Sequence, residues 1–337
     1  MGNTVGSIEE YKRELLELLR AEPKSHIDIA KCYTKLGNAY SEHEKHRLAL
    51  NNYEGALNAL LGAYPNDKNH REIADCYSAI GLEYLYLRMN GKATRAFNDA
   101  YYIREKICDP SDPAIADTQL YMAYLCVVTN WNYFAQENLD DALKIYEIAY
   151  KDEPNHPRFA DVCSTRGLSY MIDREFSKAV ECYERALEMR ASGKDTLENK
   201  LGIAMIYNNL GSVYTYMAEF NDDAEQAKKH FETAIKYAKK SLKVKLETYG
   251  SENHALVALS YTNLAYTYKR SGQKRMAIEL YKRALDIYSL SYKDEPSHPA
   301  IIDICESLAD IYRDLFDKKT AEEYETRALN LKRRAQE

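Results

Sequence analysis

The sequence predicts an all-α fold, an N-terminal helix followed by a solenoid of seven helical hairpins, and three observations predict it. Glycine and proline number only 13 and 8 in 337 residues while tyrosine reaches 30, so chain breakers are few and packing aromatics many. A small residue recurs at Gly37, Gly81, Ala123, Gly167, Gly211, Ala265 and Ala309, with spacings of 44, 42, 44, 44, 54 and 44, and three places after it stands a tyrosine in every case but Cys126. Downstream runs an alanine column (Ala49, Ala93, Ala142, Ala179, Ala227, Ala277, Ala321), an aromatic four places on (Tyr53, Phe97, Tyr146, Tyr183, Phe231, Tyr281) and a second alanine (Ala56, Ala100, Ala149, Ala186, Ala234, Ala284, Ala328). Small residues let two helix backbones approach closely, and aromatics at helical spacing from them fill the gap between successive hairpins.

The elements follow in order. Residues 1–25 are expected to form a tail and capping helix, since Ser7 and Glu10 have capping-box spacing and Ile8, Tyr11, Leu15, Leu18 and Leu19 share one helical face. The array is expected over 26–337 in units of approximately 26–69, 70–111, 112–155, 156–199, 200–253, 254–297 and 298–337. Aligning the alanine columns places seven extra residues between the helices of the third unit, in the NWNYFAQ region, and four in the fifth, near NDDAEQ. At about 3.6 residues per turn these are nearly two turns and one, so both hairpins should lengthen and protrude with their faces in register. In the last unit Glu325 replaces the aromatic of the other six, which predicts a polar face closing the array.

The Leu-Gly, Tyr and Ala-x-x-x-Phe pattern resembles the tetratricopeptide repeat. The period is about ten residues longer than that family's usual ~34. Histidines stand eleven places before the small residue at His26, His70, His156, His254 and His298. With the strings EPNHPRFAD, EPSHPAIID, YIREKICDPSDPAIAD and LYKRALDIY, they are similar to the long cargo-binding repeats of kinesin light chains. The resemblance implies a right-handed superhelix whose concave surface, lined by the first helix of each hairpin, receives a protein partner. Asn209 and Asn263 match the family's sixth-position asparagine, which implies acceptance of an extended peptide. A kinesin light chain carries a long heptad segment before its repeats, and with some twenty-five residues ahead of His26 a motor subunit is not expected. Thr34 and Ala79 stand where chaperone-binding relatives need lysine and asparagine, so a chaperone-tail receptor is not expected either.

Composition narrows the function classes. With 46 Lys+Arg against 52 Asp+Glu, the formal charge of -6 has the wrong sign for general affinity to phosphate backbones. No apolar run approaches the ~20 residues that span a bilayer, and seven scattered cysteines without a C-x-x-C pair read as reduced thiols, so a soluble cytoplasmic protein is expected. Cys32 and Cys76 share one first-helix position and Cys163 and Cys305 the next, which marks them as core. His43 and His46 have ligand spacing but nothing completes a set of four, so no metal and no cofactor is expected. Phosphate-loop, dinucleotide, zinc-protease and nucleophile-elbow motifs are all missing, which points away from an enzyme and a small-molecule substrate. At the N-terminus MGNTVGS nearly fits an acylation signal, with Gly6 where Ser or Thr is required.

The candidate site is therefore the first-helix wall. In units two to four it offers Leu82, Leu85, Tyr86, Tyr124, Val127, Val128, Leu168, Met171 and Ile172, with an acidic lip of Asp75, Asp117 and Asp161. In units five and six it offers Asn208, Asn209, Ser212, Tyr216, Asn263, Tyr266, Lys269 and Arg270, donors and countercharges suited to the backbone and acidic side chains of an extended peptide. The expected role is a peptide-binding scaffold or adaptor; the alternatives are a ligand-responsive switch and docking through a lysine stripe. Lys229, Lys236, Lys240 and Lys243 form that stripe in the fifth unit, within about 60° of one another on a helix, facing an acidic partner or an anionic membrane.

Overall fold

The computed structural model describes residues 2–293 and 296–334, with side chains from Ile8 onward. The near-fit of MGNTVGS to acylation thus concerns side chains outside the described residues. Fifteen helices and no strand are found among the described residues. They are α1 (Gly2–Arg20), α2 (His26–Glu42), α3 (His46–Ala63), α4 (Arg71–Tyr86), α5 (Asn90–Ile107), α6 (Pro113–Val128), α7 (Asn132–Ala149), α8 (Pro157–Ile172), α9 (Phe176–Ala191), α10 (Leu197–Glu219), α11 (Ala224–Tyr249), α12 (Ala255–Arg270), α13 (Lys274–Ser291), α14 (Pro299–Asp314) and α15 (Lys318–Arg334). The chain forms two compact units, 1–172 with α1 to α8 and 173–337 with α9 to α15.

In the first unit α2/α3, α4/α5 and α6/α7 pack as hairpins and α1 lies on α2. Ile8, Tyr11, Leu15 and Leu18 of α1 join the core around Tyr40, Leu60 and Tyr33, as their common face predicts. The expected capping box rests on the Ser7 side chain, which lies outside the described residues; the helix itself runs from Gly2. In the second unit α10/α11, α12/α13 and α14/α15 are the hairpins, around a core that includes Tyr261, Leu264, Tyr281, Tyr288, Ile304 and Leu308.

The repeated small residue has a steric cause. A Cβ on Gly81 would lie 2.5 Å from Cε1 of Phe97, and one on Gly37 would lie 2.6 Å from Cε1 of Tyr53. The aromatic of the second helix therefore occupies the space that any side chain on the first would need. The turn between the helices is equally regular. Its middle residue is left-handed at Glu44, Arg88, Asn130, Arg174, Gly272 and Phe316. The next amide donates back to the tyrosine column: Lys45 N to Tyr40 O (2.9 Å), Met89 N to Tyr84 O (2.8 Å), Trp131 N to Cys126 O (2.7 Å), Gln273 N to Tyr268 O (2.9 Å) and Asp317 N to Tyr312 O (3.0 Å). Such six-to-one bonds satisfy carbonyls that the end of a helix would otherwise leave bare.

Of the two expected insertions, the one in the third unit is absent. The α6/α7 turn is Thr129–Trp131, as short as its neighbours, and α7 has the same 18 residues as α3, α5 and α13. The third unit has no protrusion. The residues fully buried at its small-aromatic-small positions are Ala135, Leu139 and Ala142, whereas Ala149 is exposed. The alanine alignment had slipped by seven residues, nearly two turns, which leaves a helical face almost unchanged. In the fifth unit the extra residues do lengthen the helices, α10 to 23 residues and α11 to 26. There Gly211 faces Ala234 O and Ala238 N rather than an aromatic ring.

The periodic histidines fasten the linkers. Tyr64/His70, Tyr150/His156, Tyr249/His254 and Tyr292/His298 stack with ring centroids 3.5 to 3.7 Å apart. His254 and His298 also accept from Leu256 N (3.1 Å) and Ala300 N (3.3 Å), capping α12 and α14. Cys32, Cys76 and Cys305 are buried as expected, and desolvation pushes the Cys76 thiol up to about 12; Cys163 is only half-buried.

Candidate partner-binding surface

In the first unit the wall is built by equivalent positions on α4, α6 and α8. One place after the small residue stand Leu82, Tyr124 and Leu168, and five places after it Tyr86, Val128 and Ile172. Tyr86, Val128 and Ile172 are 62%, 41% and 37% exposed, and Tyr124 is 41% exposed. Leu82, Leu85, Leu168 and Met171 are half-buried beside them. Val127 belongs elsewhere, being fully buried in the core.

Tyr86 is held from behind by residues that the wall pattern missed. Its ring stacks on His46 with centroids 4.5 Å apart. His46 Nδ1 lies 2.8 Å from Oε2 of Glu83, and Ser41 Oγ donates to Oε1 of the same carboxylate at 2.7 Å. Glu83 is only 2% exposed, so a buried charge is satisfied by α2 and α3 while one turn on it sets the register of Tyr86. The signal for this arrangement was HEKH: its second histidine pairs with a carboxylate, while His43 is held below its usual pKa by burial.

The acidic lip is internally paired. Arg104, buried in the α5 side of the first unit, donates to Asp75 Oδ1 (2.6 Å) and Ser78 Oγ (2.8 Å). Arg158 Nε pairs with Asp117 Oδ1 at 2.9 Å and its Nη1 with Asp161 Oδ2 at 3.4 Å. Tyr146, expected at an aromatic position facing the small column, instead donates to Asp117 Oδ1 (2.6 Å). Desolvation opposes the Arg158 charge, but Asp117 and its neighbours hold the guanidinium well above its ordinary value. These carboxylates tie α6 to α8 rather than lining a free rim.

The second unit arranges the same positions otherwise. Asn263 Nδ2 donates to Asn208 Oδ1 at 2.6 Å, and with Ser212, Thr215, Tyr266 and Thr267 they surround a polar recess with ≈ 30 Å³ of free space, about the room of one water. Asn209 and Tyr216 are half-buried beside it. Lys269 pairs with Asp310 (3.1 Å), Arg270 with Glu219, Lys274 with Asp314 (3.2 Å), and Arg313 with both Asp310 (3.0 Å) and Glu325. The two cations expected to face an acidic ligand are thus neutralised by the chain itself, as rungs joining α10 to α12 and α12 to α14. The Glu219 hydrogen bond raises Arg270, desolvation opposing it, while Asp310 is lowered because Lys269 and Arg313 outweigh its desolvation.

Among the described residues the lysine stripe on α11 is neutralised at its two ends, by Lys229–Glu225 (3.1 Å) and Lys243–Glu247 (3.7 Å).

Two family models described as tetratricopeptide repeat match residues 160–192 and 202–289. Among solved structures the chain is similar to BtubC (BKLC) from P. vanneervenii, at 18% identity over 74% of this chain and 91% of that one, with a TM-score of 0.50. It is similar to a signal-transduction ATPase with a tetratricopeptide repeat sensor from Pyrococcus horikoshii, at 17% identity over 94% of this chain and 45% of that one, with a TM-score of 0.57. A Rap protein complexed with competence and sporulation factor matches at 15% identity over 98% of both chains, with a TM-score of 0.54. Among curated protein sequences none matches. Identities this low speak for the fold, and the fold agrees with the family matches. Together these matches support a tetratricopeptide-repeat superfamily assignment, and such repeats serve in general as protein-interaction scaffolds. Among the described residues no helix is long and apolar enough to cross a membrane.

Proposed function

We propose that the chain is a non-enzymatic cytoplasmic adaptor that holds a segment of a protein partner on the first-helix wall of its first unit. One observation carries the reading: consecutive first helices place exposed apolar side chains, Tyr86, Val128 and Ile172, at one equivalent position. A row of that kind is costly to hydrate and favourable to cover, and it repeats with the spacing of the hairpins, as an elongated ligand requires. The Rap protein, matched over its whole length, was solved with a bound factor, which supports a ligand-holding role for this architecture. The kinesin-light-chain likeness of the linkers fits the same role.

The acidic half of the expected ligand is given up. Lys269 and Arg270 would have to release Asp310 and Glu219 before meeting it, and Asn263 would have to release Asn208. The ligand in this reading is an uncharged, apolar segment. A photo-crosslinking amino acid at Tyr124 of the full chain should capture that partner, and its purified segment should lose about 10- to 100-fold in affinity for the Tyr86→Ser, Val128→Ser variant. Unchanged affinity in that variant overturns the reading.

A further inference from the structure

We infer that the middle of α11 is a second docking surface, independent of the first-unit wall, and that its partner is an acidic protein segment with its carboxylates at helical spacing. Lys236, Lys239 and Lys240 are exposed, and among the described residues no carboxylate pairs with any of them. The ends of the stripe differ, since Glu225 and Glu247 already neutralise Lys229 and Lys243. An uncompensated patch of positive charge thus sits at the centre of the longest helix of a chain whose formal charge is -6.

Two of the three cations are also held in place. The Lys240 ammonium lies 5.1 Å from the ring centre of Tyr207 and 5.3 Å from that of Tyr237, and Lys239 lies 5.9 Å from that of Tyr268. Tyr237 is itself stacked on Tyr214 at 5.7 Å. Contact with aromatic faces favours an ammonium without neutralising it and restricts its rotamers, so less freedom is lost when a carboxylate binds. Lys236, Lys239 and Lys240 stand at i, i+3 and i+4, within about 6 Å along the axis, which a second helix with Glu or Asp at i, i+3 and i+4 would match.

The pattern around the lysines selects the class of partner. Glu225, Glu232 and Glu247 lie on the same stripe. Those carboxylates repel the unbroken charge of a nucleic acid backbone or an anionic bilayer, yet tolerate a protein segment whose own charges alternate. The stripe also lacks a large apolar side chain that would enter a bilayer.

The test uses the full chain and a synthetic alanine-based helical peptide with glutamates at i, i+3 and i+4 flanked by lysines, titrated by NMR. Binding should weaken at least about tenfold in the Lys236→Glu, Lys239→Glu, Lys240→Glu variant and fall as salt rises from ~50 to ~300 mM. The Lys236→Gln, Lys239→Gln, Lys240→Gln variant should lose binding with unchanged circular dichroism, which separates lost charge from lost fold. Lys318→Glu, Lys319→Glu should bind as the wild type does. Equal binding by wild type and charge-reversed protein overturns the proposal. So does tighter binding of a 20-nucleotide RNA, or of vesicles with 30% phosphatidylserine, than of the peptide. Failure of the first-unit variant to alter its own ligand would leave these outcomes untouched.

Discussion

The two units build the same wall from the same repeat positions and finish it in opposite ways. In the first, ion pairs gather toward the N-terminal ends of the first helices, Arg104 with Asp75 and Arg158 with Asp117 and Asp161, leaving the later row of Tyr86, Val128 and Ile172 uncovered. In the second, ion pairs occupy the later positions themselves, through Arg270, Lys269, Lys274 and Arg313. Where the charges satisfy one another therefore decides which stretch of wall keeps an unmet demand. A polar wall with internal partners is a poorer docking surface than an apolar wall without them, because each incoming hydrogen bond must replace one already made.

The largest effect tests the corrected register of the first unit. Leu139→Ala should destabilise by about 2–5 kcal/mol, while Ala149→Leu should stay within about 0.5 kcal/mol. Urea unfolding followed through Trp131, the single tryptophan, reads both. The reverse order would restore the seven-residue insertion. Next in size is the contrast between Gly81→Ala and Gly211→Ala. The first drives a methyl group into the Phe97 ring and should cost about 1–3 kcal/mol. The second meets Ala234 O at 3.3 Å, Ala238 N at 3.5 Å and Ala238 Cβ at 3.8 Å and gains helix propensity, so it should stay within about 1 kcal/mol of wild type. Equal costs would erase the packing difference between the units.

The smallest effect concerns the ion-pair rungs, each with at least one exposed partner and worth about 0–1 kcal/mol. Hydrogen exchange in α12 and α14 should quicken in ~1 M salt, and Asp310→Asn should remove part of that response. Because the folded Asp310 is held below its unfolded value, its contribution is complete above about pH 4 and fades as pH falls through the lower, folded value. Exchange in α12 and α14 that ignored both salt and acid would mean the rungs do not hold the second unit together.

The repeat itself was legible because it is local. Small residue, tyrosine, alanine and aromatic lie within one hairpin, and the columns marked helices, turns and core thiols together. The histidine column was visible too, and Tyr64, Tyr150 and Tyr292 stand six places before their histidines and Tyr249 five, but that the rings stack is a contact across a turn that spacing alone does not state. Of the site, the apolar positions of α4, α6 and α8 could be read, apart from Val127, whose inward turn only packing revealed. Lys269 and Arg270 could be read as cations of the first helix, but not that each is paired within the chain. Their partners lie 41 and 51 residues away in sequence.

The sequence by itself determined the hairpin, its small-aromatic-small packing, and the wall positions on each first helix, because these depend on contacts between neighbours in one or two helices. The tertiary structure decided the register of the third hairpin, since a shift of seven residues keeps the helical face and only burial distinguishes the two alignments. It also decided which wall charges are satisfied, because the distance between side chains some forty to fifty residues apart is fixed by how hairpins stack and by no pattern within them.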